Sequence, residues 1–360
     1  MSHYSNRFNY KEKEIGMITT WKLRVALLVS LTLVLLLCIL LGVSVGATDI
    51  PLVTAVDGLR AFFDGAVLDR YTGTPDIQVI QEIRAPRVLL GATAGAGLGV
   101  CGLITQSLLR NPLGDPYILG ISSGASAGAA FVIVVGITGV FHSAVGVSLG
   151  AFLGAVVAIV LVTLLASAGG SITPTRIIFA GMAVNYFFAA VTSLVTLMAG
   201  TAAGHKSVMF WTLGSLASAK WNDVGIGLST TVVALLLFAL FGRRVDVLNL
   251  GDDSARSLGT NPKLFRDVLF GIVAFTVAIL VSLTGSIGFI GLVIPHLAKL
   301  LVGSMTRISL PIAGLTGAIL LVIADIFARI IIRPAEMPIG ILTAIVGTPM
   351  LMALIRKYAR

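Results

Sequence analysis

The chain has 360 residues, of which 57% are hydrophobic and only 11% charged. A soluble domain carries about 25% charged residues, so an ordinary wetted surface is excluded, and the apolar residues run in solid blocks rather than in the alternation of a membrane β-barrel. The net charge of +9 comes without the basic cluster and interleaved aromatics of a nucleic-acid surface.

Blocks of about 20 residues, enough to cross a bilayer as a helix, predict an all-α polytopic membrane protein with about ten transmembrane helices. In chain order they cover residues 24–46, 86–108, 118–137, 143–168, 176–200, 224–242, 266–284, 287–303, 309–332 and 338–356. Residues 1–23 form an N-terminal tail. Lys22, Arg24 and the small residues near Ala47 imitate a secretory signal. The apolar run from Val25 to Ala47 exceeds the roughly 7–15 residues of a signal core, so it is read as a retained span.

The second span repeats glycine at Gly91, Gly95 and Gly99, and the third opens with Gly120, Gly124 and Gly128. Such small-xxx-small faces let helices pack closely in lipid. Gly97, Gly99 and Gly102 also satisfy G-x-G-x-x-G, but the strand and downstream acid of a nucleotide fold are absent. GISSG at 120–124 matches the nucleophile elbow of hydrolases, which needs a strand before its turn; the blocks around it predict helices. The fifth span holds Asn185 and Tyr186, placed to line a cavity or bond a neighbouring helix. Only LTGSIG separates the seventh and eighth spans. The eighth carries His296 after Pro295, read as a packing histidine. In the ninth, Asp325 and Arg329 stand at i and i+4, acid first, the order that favours an intrahelical pair. Charges inside a membrane helix are expensive and point to function.

With the N-terminus in the cytoplasm, 17 of the 25 Lys and Arg fall on the inner side, as the positive-inside rule requires, and the C-terminus is inside too. Segments 47–85 and 201–223 then lie outside, the latter with Phe210, Trp211 and Trp221 for an interfacial helix. The loop 243–265 lies inside. Asp252, Asp253 and Ser254 start a short helix there by capping and dipole effects, and Leu258-Gly259 end it, a natural lever for a partner. The four histidines are scattered, and Cys38 and Cys101 sit in apolar runs, so no metal site is expected. GTAAGHKS at 200–207 fails the phosphate-loop spacing. A pump built on this chain would draw its energy from another chain.

Seven stretches together resemble one family: RAPR at 84–87, QSLLRNPLGDP at 106–116, LGISSGA at 119–125, LGxxxAxxLG at 250–259, GSIGFIGLVIPH at 285–296, ADIFAR at 324–329 and EMPIGILTAIVGTP at 336–349. From about residue 20 onward the chain is similar to the permeases of ATP-binding-cassette (ABC) importers for iron–siderophores, haem and vitamin B12. The resemblance implies a type II importer permease, one transmembrane domain over 24–360, in a bacterial cytoplasmic membrane. It implies a second permease subunit, identical or a paralogue, two cytoplasmic ATPase subunits and an outer substrate-binding protein. ATP and magnesium belong to the ATPase, with no cofactor on this chain and no catalytic residue. In the vitamin B12 permease a cytoplasmic gate matches Asn111 and Leu113, and a second strip matches Thr173 and Pro174, where that permease has a hydroxyl residue in place of the proline. The coupling helix matches Asp252, Asp253, Arg256, Leu258 and Gly259. Arg84, Arg87 and Arg329 match arginines that pair with glutamates of the binding protein. The implied cargo is a ferric siderophore, with haem or cobalamin as the alternative. An intramembrane enzyme using Ser122 or Ser123, and a passive channel, are the readings from other classes.

Overall fold

The computed structural model describes residues 16–358 apart from 19, 47, 63, 65–74, 137–143, 169–172 and 260. Most of the expected N-terminal tail, His3 included, lies outside the described residues, as does His142. Every regular element described is helical. The helices are α1 (Trp21–Ser44), α2 (Leu52–Arg60), α3 (Asp76–Leu109), α4 (Ile121–Val135), α5 (Ala144–Ser167), α6 (Pro174–Leu197), α7 (Ala202–Thr212), α8 (Trp221–Asn249), α9 (Asp252–Ser257), α10 (Pro262–Thr284), α11 (Ile290–Val302), α12 (Thr306–Ile330) and α13 (Ile339–Tyr358). Seven are long and apolar enough to cross a membrane, and α4, α11 and α13 supply shorter apolar helices. Each predicted span therefore meets one helix.

Boundaries differ where charged residues follow an apolar block. The loop 243–265 is largely helical, made of the last turns of α8, all of α9 and the start of α10. Charged residues mark where a helix leaves an apolar layer, and its hydrogen bonds continue beyond. Likewise α3 begins ten residues before its predicted span, at Asp76, through a π-turn over Ile80–Arg84. The helix expected in 201–223 is α7, capped by Thr201, whose hydroxyl accepts from Gly204 N at 3.1 Å.

Helix α3 is the axis. Its most apolar window is 89% buried, against 11% for α1, and α1, α8, α10, α11 and α12 all pack on it. A methyl on Gly95 would lie 2.3 Å from the Gly317 carbonyl oxygen of α12, and one on Gly102 would lie 2.0 Å from that of Gly291 in α11. Beside this group, α4 packs on α5, α6 and α7. There a methyl on Gly128 would sit 2.0 Å from Gly150 O, and one on Gly154 would sit 2.1 Å from Gly124 O. Backbones this close gain the dispersion contacts that hold helices together in lipid, where burial of apolar surface gives little drive.

Two irregular segments complete the bundle. At 1.5 Å per residue the 13 residues of α11 reach about 20 Å, short of the ~30 Å hydrocarbon core. Residues 285–289 make up the difference in a non-helical path, with Phe289 in the left-handed region at φ 69°. Opposite them runs 110–120, where Arg110 (φ 48°) ends α3 and a 3-10 turn spans Pro116–Leu119. Tyr117 donates its hydroxyl to Ile287 O at 3.0 Å and accepts from Ile287 N at 3.2 Å. Ser122 and Ser286 bond through their hydroxyls. Non-helical backbone at membrane depth needs such protein partners. The serines of GISSG thus stand in a helix start after Gly120 (φ 69°), and Ser123 donates to Gly120 O at 2.9 Å.

Substituting Gly95→Ala should lower stability by about 1–3 kcal/mol through overpacking, read as a lower thermal midpoint in detergent. Gly225→Ala, where an added methyl meets nothing within 4 Å, should hold or raise the midpoint. Equal midpoints for the two variants would refute the close approach of α3 and α12.

Candidate functional site

Polar groups gather at opposite ends of the bundle. At one end α1 stops, leaving carbonyls without helical partners. Arginines from two other helices supply the donors. Arg84 donates to Val43 O at 3.0 Å and Ser44 O at 2.6 Å. Arg329 donates to Gly42 O at 2.9 Å and Val45 O at 3.0 Å. Between them Arg87 pairs with Asp325 at 2.9 Å and with Glu336 at 2.8 Å. The expected Asp325–Arg329 pair is present at 3.1 Å, as one arm of this network. Three guanidiniums thus stand with two carboxylates, and Arg84, which meets neither, is held by backbone carbonyls.

The three arginines matched to binding-protein contacts all have partners within this chain. Arg84, Arg87 and Arg329 are 5%, 5% and 3% exposed and are committed to partners within the chain. Their positions in the sequence reveal charge near a helix end, but not the unpaired carbonyls of α1 that claim it. Among the described residues, the exposed cations at this end are Arg60, Lys206, Lys220 and Arg333. Arg333 reaches Asp49 at 2.9 Å, and this hydrogen bond holds the Asp49 carboxyl below its ordinary value.

The other end holds the gate and coupling residues. Asn111 makes a tight turn: its side chain accepts from Leu113 N at 2.9 Å, and its carbonyl accepts from Gly114 N at 2.9 Å. Its neighbour Arg110 donates to Leu248 O at 3.0 Å and to the carboxylate of Asp252 at the start of α9. Arg266 of α10 donates to the same Asp252 oxygen at 3.0 Å. The turn at Asn111 and helix α9, separate motifs in the sequence, are one linked structure through Arg110, Asp252 and Arg266. Neither arginine was singled out from sequence. Arg110 could have been found by its place before Asn-Pro. Partial burial works to raise the Asp252 pKa, but the hydrogen bonds from Arg266 and Arg110 carry it below its ordinary value.

Asp252 thus faces inward, while Asp253, Arg256 and Leu258 stand out from α9. The Asp253 side chain is fully exposed and pairs only loosely with Arg256, at 3.6 Å. Leu250 and Leu258 are 69% and 63% exposed beside these charges. Gly251 (φ 118°) and Gly259 (φ 77°) bracket the helix in backbone that favours glycine. Thr173 caps α6, accepting from Arg176 N at 3.4 Å. Pro174 is the first residue of α6, where its missing N–H leaves no helical bond unmade. No hydrogen bond or ion pair among the described residues joins Thr173 or Pro174 to Asn111 or Leu113.

Along α6, Asn185 and Tyr186 are exposed, and Thr192 and Thr196 continue the face of Asn185 toward α7. An unpaired amide is unfavourable against lipid, so this face suits a water-filled passage or a second protein surface.

Residues 34–357 match the FecCD transport family. The chain is 35% identical over 317 residues to the Fe(3+)-citrate import system permease protein YfmD of Bacillus subtilis, covering 88% of this chain and 90% of that protein. It is 37% identical over 281 residues to the hemin transport system permease protein HmuU of Yersinia pestis, covering 77% and 82%. A solved ABC transporter of the metal-chelate type, in an inward-facing conformation, superposes with a TM-score of 0.78 at 29% identity, covering 92% of this chain and 99% of its own.

Asp325→Asn leaves two buried guanidiniums short of charge and should destabilise by about 3–5 kcal/mol, measured as a lower unfolding midpoint. Asp252→Asn should release α9, raising amide exchange across 251–258 several-fold while the exchange of α3 stays unchanged. Because the folded Asp252 pKa is lowered, its contribution is full above the ordinary carboxylate range near pH 4. It is lost only as pH falls through that lowered value. Exchange of α9 should therefore be flat from pH 7 to about 5, apart from the intrinsic amide rate.

Proposed function

Because this chain belongs to the FecCD transport family, as a permease of the metal-chelate type of ABC importer, we propose that it imports a ferric chelate of the siderophore type by alternating access. Haem or a corrinoid is the second reading, favoured by a histidine-bearing groove between α6 and α7. The α9 end faces the cytoplasm with both termini, in agreement with the distribution of Lys and Arg. One domain spans the bacterial cytoplasmic membrane, and a second permease subunit, a copy or a paralogue, packs across the pathway.

The observation that carries this reading is the two-sided character of α9. Its outer side offers Asp253, Arg256, Leu250 and Leu258, apolar and charged groups together, as a foot for an ATPase groove. Its inner side is tied by Asp252 to Arg110, next to the turn at Asn111 and Leu113. A shift of α9 driven by ATPase closure is delivered directly to that turn. Thr173 and Pro174, at the start of α6, form the second strip of the gate. ATP and magnesium act on the partner, and this chain performs no covalent step. The driving force is the difference in affinity of the ATPase dimer for the two states, since a ligand held equally in both shifts nothing.

At the opposite end a binding protein docks. Charge pairs on a rim set register and on-rate, and here Arg60, Lys206, Lys220 and Arg333 are the exposed cations placed to form them, Arg333 by exchanging its partner Asp49. Arg84, Arg87 and Arg329 stiffen the rim from beneath. The exposed face of α6, with Asn185 and Tyr186, lines the passage between the two permease subunits.

Reconstitution with the cognate ATPase and binding protein should give ATP hydrolysis stimulated by one of ferric siderophore, haem or cobalamin. Asp253→Arg with Leu258→Glu should reduce that stimulation about ten-fold or more, the equivalent of ~1.4 kcal/mol of lost coupling, in a permease that still folds. Stimulation unchanged by both substitutions would remove α9 from the coupling role. Conduction without ATPase or binding protein would establish a channel instead.

A further inference from the structure

A shallow groove of about 430 Å³ opens between α6 and α7, lined in part by Thr192, Ser193, Thr196, His205, Met209 and Thr212. His205 and Met209 stand four residues apart on one face of α7. Both are exposed. The His205 Nδ1 atom lies 3.0 Å from Thr201 O. A carbonyl oxygen only accepts, so Nδ1 is the donor, and in that tautomer the lone pair is on Nε2. Metal-binding histidines are commonly held in this way, with the second ring nitrogen donating to a backbone carbonyl that fixes the tautomer and the ring plane.

The groove is not built for a bare ion. Among the described residues no three His, Cys, Asp or Glu side chains gather as a ligand set. One imidazole, with a thioether beside it, can instead take a single position on iron that a chelator already holds. The groove is at the α7 end, beside the polar face of α6 that runs on to Asn185. A ligand bound there stands at the start of the passage.

We propose that His205 is a transient ligand for the iron of the incoming cargo, which restricts this site to ferric chelates with an exchangeable coordination position. This rests on the importer reading. The Nε2 lone pair displaces a water molecule from the iron; one Fe–N bond forms, one Fe–O bond breaks, and the iron keeps its oxidation state. The hydroxyls of Thr192, Ser193, Thr196 and Thr212 donate their protons to carbonyls of their own helices, so toward the chelator they offer lone pairs that accept from its hydroxyl or amide donors. A hexadentate chelate, whose iron has no free position, gains nothing from His205.

The probe is ferric protoporphyrin, titrated into the purified full-length chain in lipid nanodiscs and followed by its Soret band. The expected result is a shifted band that saturates, with affinity about ten-fold or more weaker in His205→Ala. Ser207→Ala, two residues away and outside the lining of this groove, should match the unaltered chain. A saturated ferric trihydroxamate should not compete. An identical titration for His205→Ala, or full competition by the trihydroxamate, overturns the site. ATPase stimulation of the assembled transporter is a separate readout. Stimulation by a ferric chelate together with an unaltered His205→Ala titration would defeat this site and leave the importer reading standing. A His205-dependent band with no stimulation by any chelate would defeat the importer reading instead.

Discussion

A helix touched by neighbours on every side has to be thin, and α3 satisfies that constraint along its length. Its run GATAGAGLGVCG at 91–102 holds no side chain larger than leucine, so α11 and α12 approach to backbone contact at Gly102 and Gly95. The same helix carries Arg84 and Arg87 near one end and hands over to Arg110 at the other. A rigid, closely held rod therefore connects the charge cluster that closes α1 with the clamp that holds α9. Helices that can only slide or tilt as packed bodies transmit a push at one end as a displacement at the other.

The two charged ends solve opposite problems. At the α1 end, burial forces pairing: the guanidiniums of Arg87 and Arg329 meet Asp325 and Glu336, and Arg84 and Arg329 also donate to the carbonyls where α1 ends. Such a cluster holds one geometry, because breaking any member strands a charge. At the α9 end the Asp252 clamp is half in solvent, so each of its bonds is weak and replaceable. That contrast suits a stiff rim at one face and a lever at the other.

Between these ends the chain gives up helix only where protein surrounds it. Tyr117 serves the backbone of Ile287 as both donor and acceptor, and Gln106 donates to Leu292 O at 3.1 Å while accepting from Lys299. The prolines and glycines of RNPLGDPYILGISSG and of GSIGFIG break the helices where Tyr117 and its neighbours supply protein partners for the backbone. A face bearing Asn185 runs along α6 toward the groove of His205, the polar feature of this surface for which lipid offers no partner.

Much of this was legible in the residues alone. Apolar length located the helices, glycine spacing located their contact faces at Gly95 and Gly128, and Asp253, Leu258 and Gly259 announced a short exposed helix with its stop. These are local properties, set by hydrogen bonding and burial within a few turns of one helix. The partners of the charges were not legible. Arg87 meets Asp325 across 238 residues and Arg110 meets Asp252 across 142, and the carbonyl partners of Arg84 and Arg329 likewise belong to the end of a distant helix. Which carbonyl or carboxylate a guanidinium reaches depends on where distant helices are packed, and backbone contact between glycines sets that. Sequence thus determined which helices form and which faces attract; the tertiary packing alone decided which charges are buried, because desolvation acts on position in the bundle rather than on residue type.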